Sequence, residues 1–262
     1  MPVVIVFFLV HWYLAIFTHT FFYHRYAAHR HFRMSNFWER FFYVFVWLVQ
    51  GSSYLSARAY GTMHRLHHAY ADTMKDPHTP MKSSNPASFM LDTRNTYFAI
   101  YKNELDIEEK FTRDLPEWKA FEKVAHNWIT RFAWMGFYTA FYVVFATQWW
   151  MFLLLPVHFS MGAFQGAFVN WWAHKIGYKS FETKDTSHNL IPVDILFTGE
   201  AYHNNHHKFP GRVNYAVKWF EFDVSYWAIK AMNAVGIVRL KQKTAKPAAN
   251  TWVDVSPEAV AN

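Results

Sequence analysis

Sixteen of the 262 residues are histidine and none is cysteine. Nine of those histidines fall into four tight groups: His24-Arg-Tyr-Ala-Ala-His29, His64-Arg-Leu-His67-His68, Asn170-Trp-Trp-Ala-His174 and His203-Asn-Asn-His206-His207. The spacing i, i+3, i+4 in two groups puts three imidazoles on one helix face. Side by side and protonated they would repel, so neutral rings around a metal cation are the economical arrangement. His24 and His29, five apart, diverge by about 140° on an ideal α-helix. That pair is expected to straddle a helix end or to feed two different metals. Nine nitrogens exceed what one zinc uses, four ligands in structural sites and three plus water in catalytic ones. Two metals with open positions fit the count better. No carboxylate recurs inside the groups, unlike the Glu and Glu-x-x-His ligands of soluble di-metal bundles.

Such ligands need elements to carry them. From Val3 to Tyr23 no Lys, Arg, Asp or Glu interrupts 21 residues, roughly 31 Å as a helix, against a bilayer core of about 30 Å. The run lacks the basic start and small-residue cleavage site of a signal peptide. A second apolar block covers Phe41–Leu55, and no charge falls between Phe132 and His174. The latter stretch holds two spans joined at Thr147–Gln148, with Trp149, Trp150, Trp171 and Trp172 at aromatic-belt positions. Mean hydropathy is only −0.10, because a net charge of +7 and the histidines are averaged with these blocks. Charged residues make up 17%, below the roughly 25% of soluble domains. Absent cysteines exclude disulfide scaffolds, thiolate-held clusters and cysteine nucleophiles. There is no Gly-rich phosphate loop, and no nucleic-acid partner is expected.

Ligands must converge on one side of a membrane. His68 and His174 are separated by two spans and return to the same side. His29 and His64 are 35 residues apart, so the block between them cannot cross once without separating them, and two crossings need about 40 residues. Gln50-Gly51-Ser52-Ser53 also interrupts it. The expected fold is therefore all-α: an integral membrane helical bundle with a cytosolic helical cap carrying a histidine-rich di-metal site. One domain covers residues 1–240, with spans at about 3–23, 130–147 and 149–173, an interfacial segment at about 38–56, cytosolic helical regions at 58–128 and 175–240, and a disordered tail at 241–262. Arg25, Arg30, Arg33, Lys175, Lys179 and Lys184 at span ends put the histidine face in the cytoplasm and the amino terminus outside.

The pattern H-x-x-x-x-H, H-x-x-H-H, H-x-x-H-H at residues 24–29, 64–68 and 203–207 resembles the membrane fatty acid desaturases, in particular the delta-9 acyl-CoA/acyl-lipid branch, similar to stearoyl-CoA desaturases. Asp76-Pro77-His78, Asn170-x-x-x-His174 and Phe209-Pro210 extend the likeness, which covers about residues 18–215. The resemblance implies two irons held by His24, His29, His64, His67, His68, His174, His203, His206 and His207, with Asn170 acting through a water. It implies insertion of a cis double bond, expected at delta-9, into a saturated acyl-CoA or acyl-lipid, with O2 as co-substrate and two external electrons. An unactivated methylene has no acidic proton, so an oxidant is required, and imidazoles in a Cys-free chain tolerate one. Aromatic spans would wall a dry acyl tunnel.

Larger relatives carry a further span before the first histidine pair, and no His-Pro-Gly-Gly haem signature is present. A separate electron donor of ferredoxin or cytochrome b5 type is expected, in a bacterial plasma membrane rather than endoplasmic reticulum. Arg58, Arg65, Lys208, Arg212 and Lys218 are candidates for receiving that donor or a coenzyme A phosphate, against plain membrane-surface roles. Asp76, His78 and Glu200 are expected behind the ligands rather than on the metal. His11, His19 and His158 are expected to make interhelical hydrogen bonds, and His31, His126 and His188 to lie on the surface. The alternatives are a di-iron hydroxylase of the same superfamily, and a histidine-rich metal transporter, which would want its ligands within the spans. A zinc hydrolase is weaker, as no H-E-x-x-H occurs.

Overall fold

The computed structural model describes residues 2–241, so the expected tail from 242 onward lies outside the described residues. The chain opens with α1 (Val3–Thr18), which runs without a break into a π-helical stretch, His19–Ala28. A short strand β1 (Phe32–Met34) leads to α2 (Asn36–Gln50), and α3 (Ala57–Tyr70) carries the second histidine group. Helices α4 (Pro86–Tyr101), α5 (Glu109–Thr112) and α6 (Lys119–Ala125) follow, then α7 (Trp128–Phe145). A 3-10 turn at Trp149–Leu154 precedes α8 (Leu155–Phe159) and α9 (Met161–Ala173). Last come α10 (His203–Lys208), α11 (Val224–Ala234) and strand β2 (Val238–Leu240), which pairs antiparallel with β1.

Val3–Ala28 is one helix long and apolar enough to cross a membrane. The stretch expected as a span at 149–173 passes the same test only as a pair of segments, Trp149–Phe159 and Met161–Ala173, bent by 73°. The bend falls at Ser160, whose hydroxyl donates back to the Pro156 carbonyl at 2.8 Å. A serine bonding the preceding turn, four residues after a proline, is a known cause of helix bending. The block expected at the interface is α2. Phe42, Tyr43, Val46 and Val49 are buried on one side of it, while Phe37, Phe41, Val44 and Leu48 are exposed on the other. Its inner face packs with Phe21, Phe22 and Tyr26 of the π stretch.

Two expectations about the cap need correcting. The fold includes the β1–β2 pair beside its helices, and the region 175–240, expected to be helical, is non-helical over residues 175–202 and 209–223. The first of these loops is held by polar side chains, which compete with helix formation when they bond the backbone. Asn204 accepts from the backbone N–H of Ser180 and Phe181 at 3.0 and 2.9 Å. Buried Asp194 accepts from Phe197, Gly199 and Ala201 at 2.7–2.9 Å.

Close approach is engineered by two glycines. At Gly61 on α3, an added Cβ would meet the Leu115 side chain at 2.7 Å, while the Ala28 Cα lies at ordinary contact distance, 3.5 Å. Gly199 adopts φ +107, and a Cβ there would collide with Asp223 Oδ1 and lie 2.8 Å from Arg25 Nη2. Gly199→Ala is therefore strained in backbone and side chain together. It is expected to lower the thermal midpoint of the purified protein by several degrees, corresponding to about 2 kcal/mol or more.

Candidate metal centre

Four elements supply the nine imidazoles. The π stretch gives His24 and its C-terminal cap His29, α3 gives His64, His67 and His68, the cap residue after α9 gives His174, and α10 gives His203, His206 and His207. They sort into two clusters. His24, His29, His64, His68 and His206 form one and His67, His174, His203 and His207 the other, each with ligand nitrogens within 4.8 Å of one another. His67 thus faces a different cluster from its neighbours His64 and His68.

The five-residue pair His24/His29 joins a single cluster, against the divergence expected of an α-helix. The backbone explains it: the His29 N–H bonds the His24 carbonyl at 3.1 Å. In a π-helix that i→i+5 bond stacks the two residues one turn apart, and such turns are frequent at functional sites.

The nitrogens that converge are all Nε2. His29 and His64 approach to 2.8 Å, His68 and His206 to 2.8 Å, and His174 and His203 to 3.1 Å. In four of the nine the other nitrogen points outward to a carboxylate from outside the histidine groups. His24 Nδ1 lies 2.6 Å from Glu200, His67 Nδ1 2.9 Å from Asp76, His174 Nδ1 3.0 Å from Asp72 and His207 Nδ1 3.1 Å from Asp185. A carboxylate at Nδ1 keeps the proton there and leaves Nε2 as a lone pair. Lone pairs crowded at about 3 Å in a buried pocket repel unless a cation lies among them, so the donor set fits two metal ions. All-imidazole sites suit iron, zinc, copper and nickel.

Burial and electrostatics agree. Burial, followed by neighbouring imidazoles, holds His29, His64, His68, His203 and His206 well below the usual imidazole range. His207 is lowered by burial to about 4, with Asp185 opposing. Burial raises the Glu200 carboxyl, but His24, Arg25 and a hydrogen bond from Thr20 outweigh it and bring it down to about 2. For Asp76 burial is likewise outweighed, by His67 and His78, giving about 2.

Asp76 and Glu200, expected behind the ligands, lie at the outer nitrogens of His67 and His24. Asp72 and Asp185 lie likewise at those of His174 and His207 and were not anticipated. Asp72 is only four residues past His68, the one available signal, whereas Asp185 is 22 residues from His207. Asp185→Asn is expected to weaken metal binding about 10–100-fold, measured by chelator competition, with little change in thermal stability of the metal-free protein.

Asn170 joins neither cluster. Its amide donates to the Gly166 carbonyl at 2.9 Å, and it lines a void of about 20 Å³ with His24, His64 and His203. That is room for one water. His19 Nδ1 and Gln165 Oε1 border the same void and have no protein partner among the described residues. His78 packs at 4.5 Å, edge to face, on the His67 ring and lines a larger cavity.

That cavity, about 570 Å³, shares His19, Tyr60, Gly166 and Asn170 with the small void. Its walls include Leu55, Met63, Phe89, Met90, Met135 and Phe159. Mostly apolar and within the ~300–1,000 Å³ of small-molecule sites, it leads from the histidines to Phe98, Trp128 and Arg94.

The remaining histidines divide. His11 bridges His158 and the Val49 carbonyl, and His158 meets Tyr142 at 3.1 Å, an interhelical network as expected. His31 and His126 are not surface residues. Both are buried, His31 on the Pro210 carbonyl at 2.8 Å and His126 on the Tyr97 hydroxyl at 2.9 Å, and His188 is half-buried. Of the basic candidates, Arg58 pairs with Glu117 at 3.1 Å, Arg65 donates to the Ala28 carbonyl at 2.8 Å and Lys208 to the Glu182 carbonyl at 3.2 Å. Arg212 stacks on Phe209, and Lys218 contributes a backbone N–H to Glu221.

Comparison with known proteins adds an independent line. A family model described as fatty acid desaturase matches residues 1–234. The chain is 29% identical over 226 residues to the sn-1 stearoyl-lipid 9-desaturase of Synechocystis sp., covering 83% of this chain and 64% of that protein. It is 25% identical to Delta-9 acyl-lipid desaturase 1 of Arabidopsis thaliana, covering 82% and 67%, and 26% identical to Acyl-CoA 5-desaturase AL21 of Anemone leveillei, covering 85% and 66%. The chain thus spans about two thirds of the length of these relatives.

Proposed function

Since the chain belongs to the fatty acid desaturase family, we propose that it is an O2-dependent di-iron acyl desaturase, placing a cis double bond, at delta-9, in a saturated acyl-CoA or acyl-lipid. The observation that carries this reading is the pairing of two all-imidazole clusters with an apolar cavity that ends beside them. A methylene pair, O2, two electrons and two protons give an alkene and two waters. Two irons held by the nine histidines supply the oxidising power that an unactivated C–H requires.

The chain's own residues do the rest. The four carboxylates orient the rings of His24, His67, His174 and His207, and burial favours the neutral form of His29, His64, His68, His203, His206 and His207. Leu55, Met63, Phe89 and Met135 exclude water along the acyl path. Tyr60, His19 and Asn170, where cavity and void meet, position the segment of chain to be oxidised. Asn170 acts through a water in the void. The walls beyond them select chain length.

The membrane arrangement belongs to the same reading: three spans, with α1, α7 and the bent pair α8–α9 crossing, α2 at the interface and the histidine face in the cytoplasm. Exposed Phe132, Phe137, Val143 and Val144 on α7 and Trp149 and Leu153 after it support contact with lipid. A separate ferredoxin or cytochrome b5 type donor provides the electrons.

A host expressing the gene is expected to accumulate a new monounsaturated acyl chain, seen by gas chromatography of its lipids. A hydroxy fatty acid in its place would overturn desaturation in favour of hydroxylation.

A further inference from the structure

We propose that a cationic cleft beside His29 is the docking surface for a small acidic one-electron carrier protein. The inference rests on the desaturase reading, which requires electrons from outside. The cleft, about 790 Å³, is lined by Arg30, Arg33, Arg65, Lys110, Arg113 and Lys241. Three carboxylates also border it: Glu117 pairs with Arg58 and Lys119, which lie outside the six, while Glu39, which accepts from the Tyr26 hydroxyl, and Asp114 keep their charge toward the cleft. Lys110 pairs with Glu108 at 2.6 Å, which leaves Glu39 and Asp114 against the five cations Arg30, Arg33, Arg65, Arg113 and Lys241, a net positive cleft. Among the described residues, no carboxylate lies within ion-pairing distance of Arg30, Arg33, Arg113 or Lys241.

The charges repel one another where they stand. Lys241 is lowered by partial burial and then by the neighbouring Arg30, Arg33 and Arg65, with Asp114 opposing. They are nonetheless held in place. Arg30 has φ +54 and lies over the Tyr26 ring at 4.8 Å. Arg33 sits on β1 opposite Arg239 of β2, and the Lys241 N–H bonds the His31 carbonyl at 3.1 Å. Arg65 is fixed by the Ala28 and Arg113 carbonyls. Cations fixed at a mutual cost make a preformed field for an anionic partner.

Position identifies the partner as redox-active. His29 is among the residues lining the cleft, and its Nε2 stands 2.8 Å from that of His64 inside the five-histidine cluster. An electron entering there reaches the metal site through one imidazole. No residue lining the cleft lines the apolar cavity, which instead adjoins a polar cleft through Arg94, Phe98 and Trp128. Donor and substrate can therefore be bound together on separate faces.

The test uses the full chain in detergent, with a plant-type ferredoxin and the soluble domain of cytochrome b5 as probes. Carbodiimide coupling is expected to join carboxylates of at least one probe to Lys110 and Lys241. In Arg33→Glu/Arg113→Glu, association with that probe at low salt is expected to slow by about tenfold or more. The difference should vanish near 1 M salt, where screening acts over about 3 Å. Coupling confined to Lys208 and Lys218, unchanged association in the variant, or binding of neither probe would each overturn the proposal. So would competition by coenzyme A without carrier binding, which would make the cleft a phosphate site. Binding needs no metal or turnover, so a failed docking test and a failed lipid analysis are separate results.

Discussion

In His67→Ala, formation of the unsaturated product is expected to fall by more than about 100-fold, beyond what loss of an outer carboxylate costs. Metal content should fall from about two ions per chain toward one. His67 is fully buried, its Nδ1 held by both Asp76 oxygens and its Nε2 3.3 Å from that of His207. It belongs to the four-nitrogen cluster, which has no spare ligand, whereas the five-nitrogen cluster loses nothing directly. Alanine also leaves Asp76 buried without its histidine partner, so retained folding must be checked by thermal melting. His126→Ala is the control. It too removes a buried, hydrogen-bonded histidine, but one outside both clusters, and it is expected to keep both metals. Equal metal loss in the two variants would sink the assignment of His67 as a ligand.

The second large effect concerns stability. Arg25 and Asp223 are both fully buried and paired at 3.0 Å. The guanidinium also donates to the Val213 carbonyl and lies 4.0 Å from the centre of the Tyr215 ring, which in turn packs on His206. Asp223 accepts in addition from the N–H groups of Tyr215 and Tyr226. Asp223→Ala strands a buried cation and two donors, and removing one partner of such a pair costs about 3–5 kcal/mol. For a chain of this size that is a fall of roughly 10 °C in thermal midpoint. Arg25→Leu/Asp223→Leu is expected to recover part of the loss, because no lone charge remains. A single variant within 2 °C of the parent protein, about 1 kcal/mol or less, would show that the pair does not tie the first histidine pair to the C-terminal segment.

Much of the site was legible because ligand spacing on an α-helix is a local property. The H-x-x-H-H groups on α3 and α10 need only their own backbone to present three rings. What could not be read depends on chain returning from elsewhere. Asp185 reaches His207 only because Asn204 and Asp194 shape a long non-helical loop. His126 is buried because Tyr97 on α4 meets it, and His31 because Pro210 does. The bend at Ser160 was hidden in a hydropathy window that registers composition and not the hydroxyl's hydrogen bond.

The wide turn at His19–Ala28 has a consequence for insertions and deletions. A π turn holds one residue more than an α turn between hydrogen-bonded partners. Removing one residue between His24 and His29 would let the segment relax to α geometry with both rings still one turn apart. Helix type and ligand spacing can therefore change together in the first pair, leaving the convergence point where it is. The α-helical groups on α3 and α10 have no such slack: one residue added there rotates every later imidazole by about 100° and removes it from the centre.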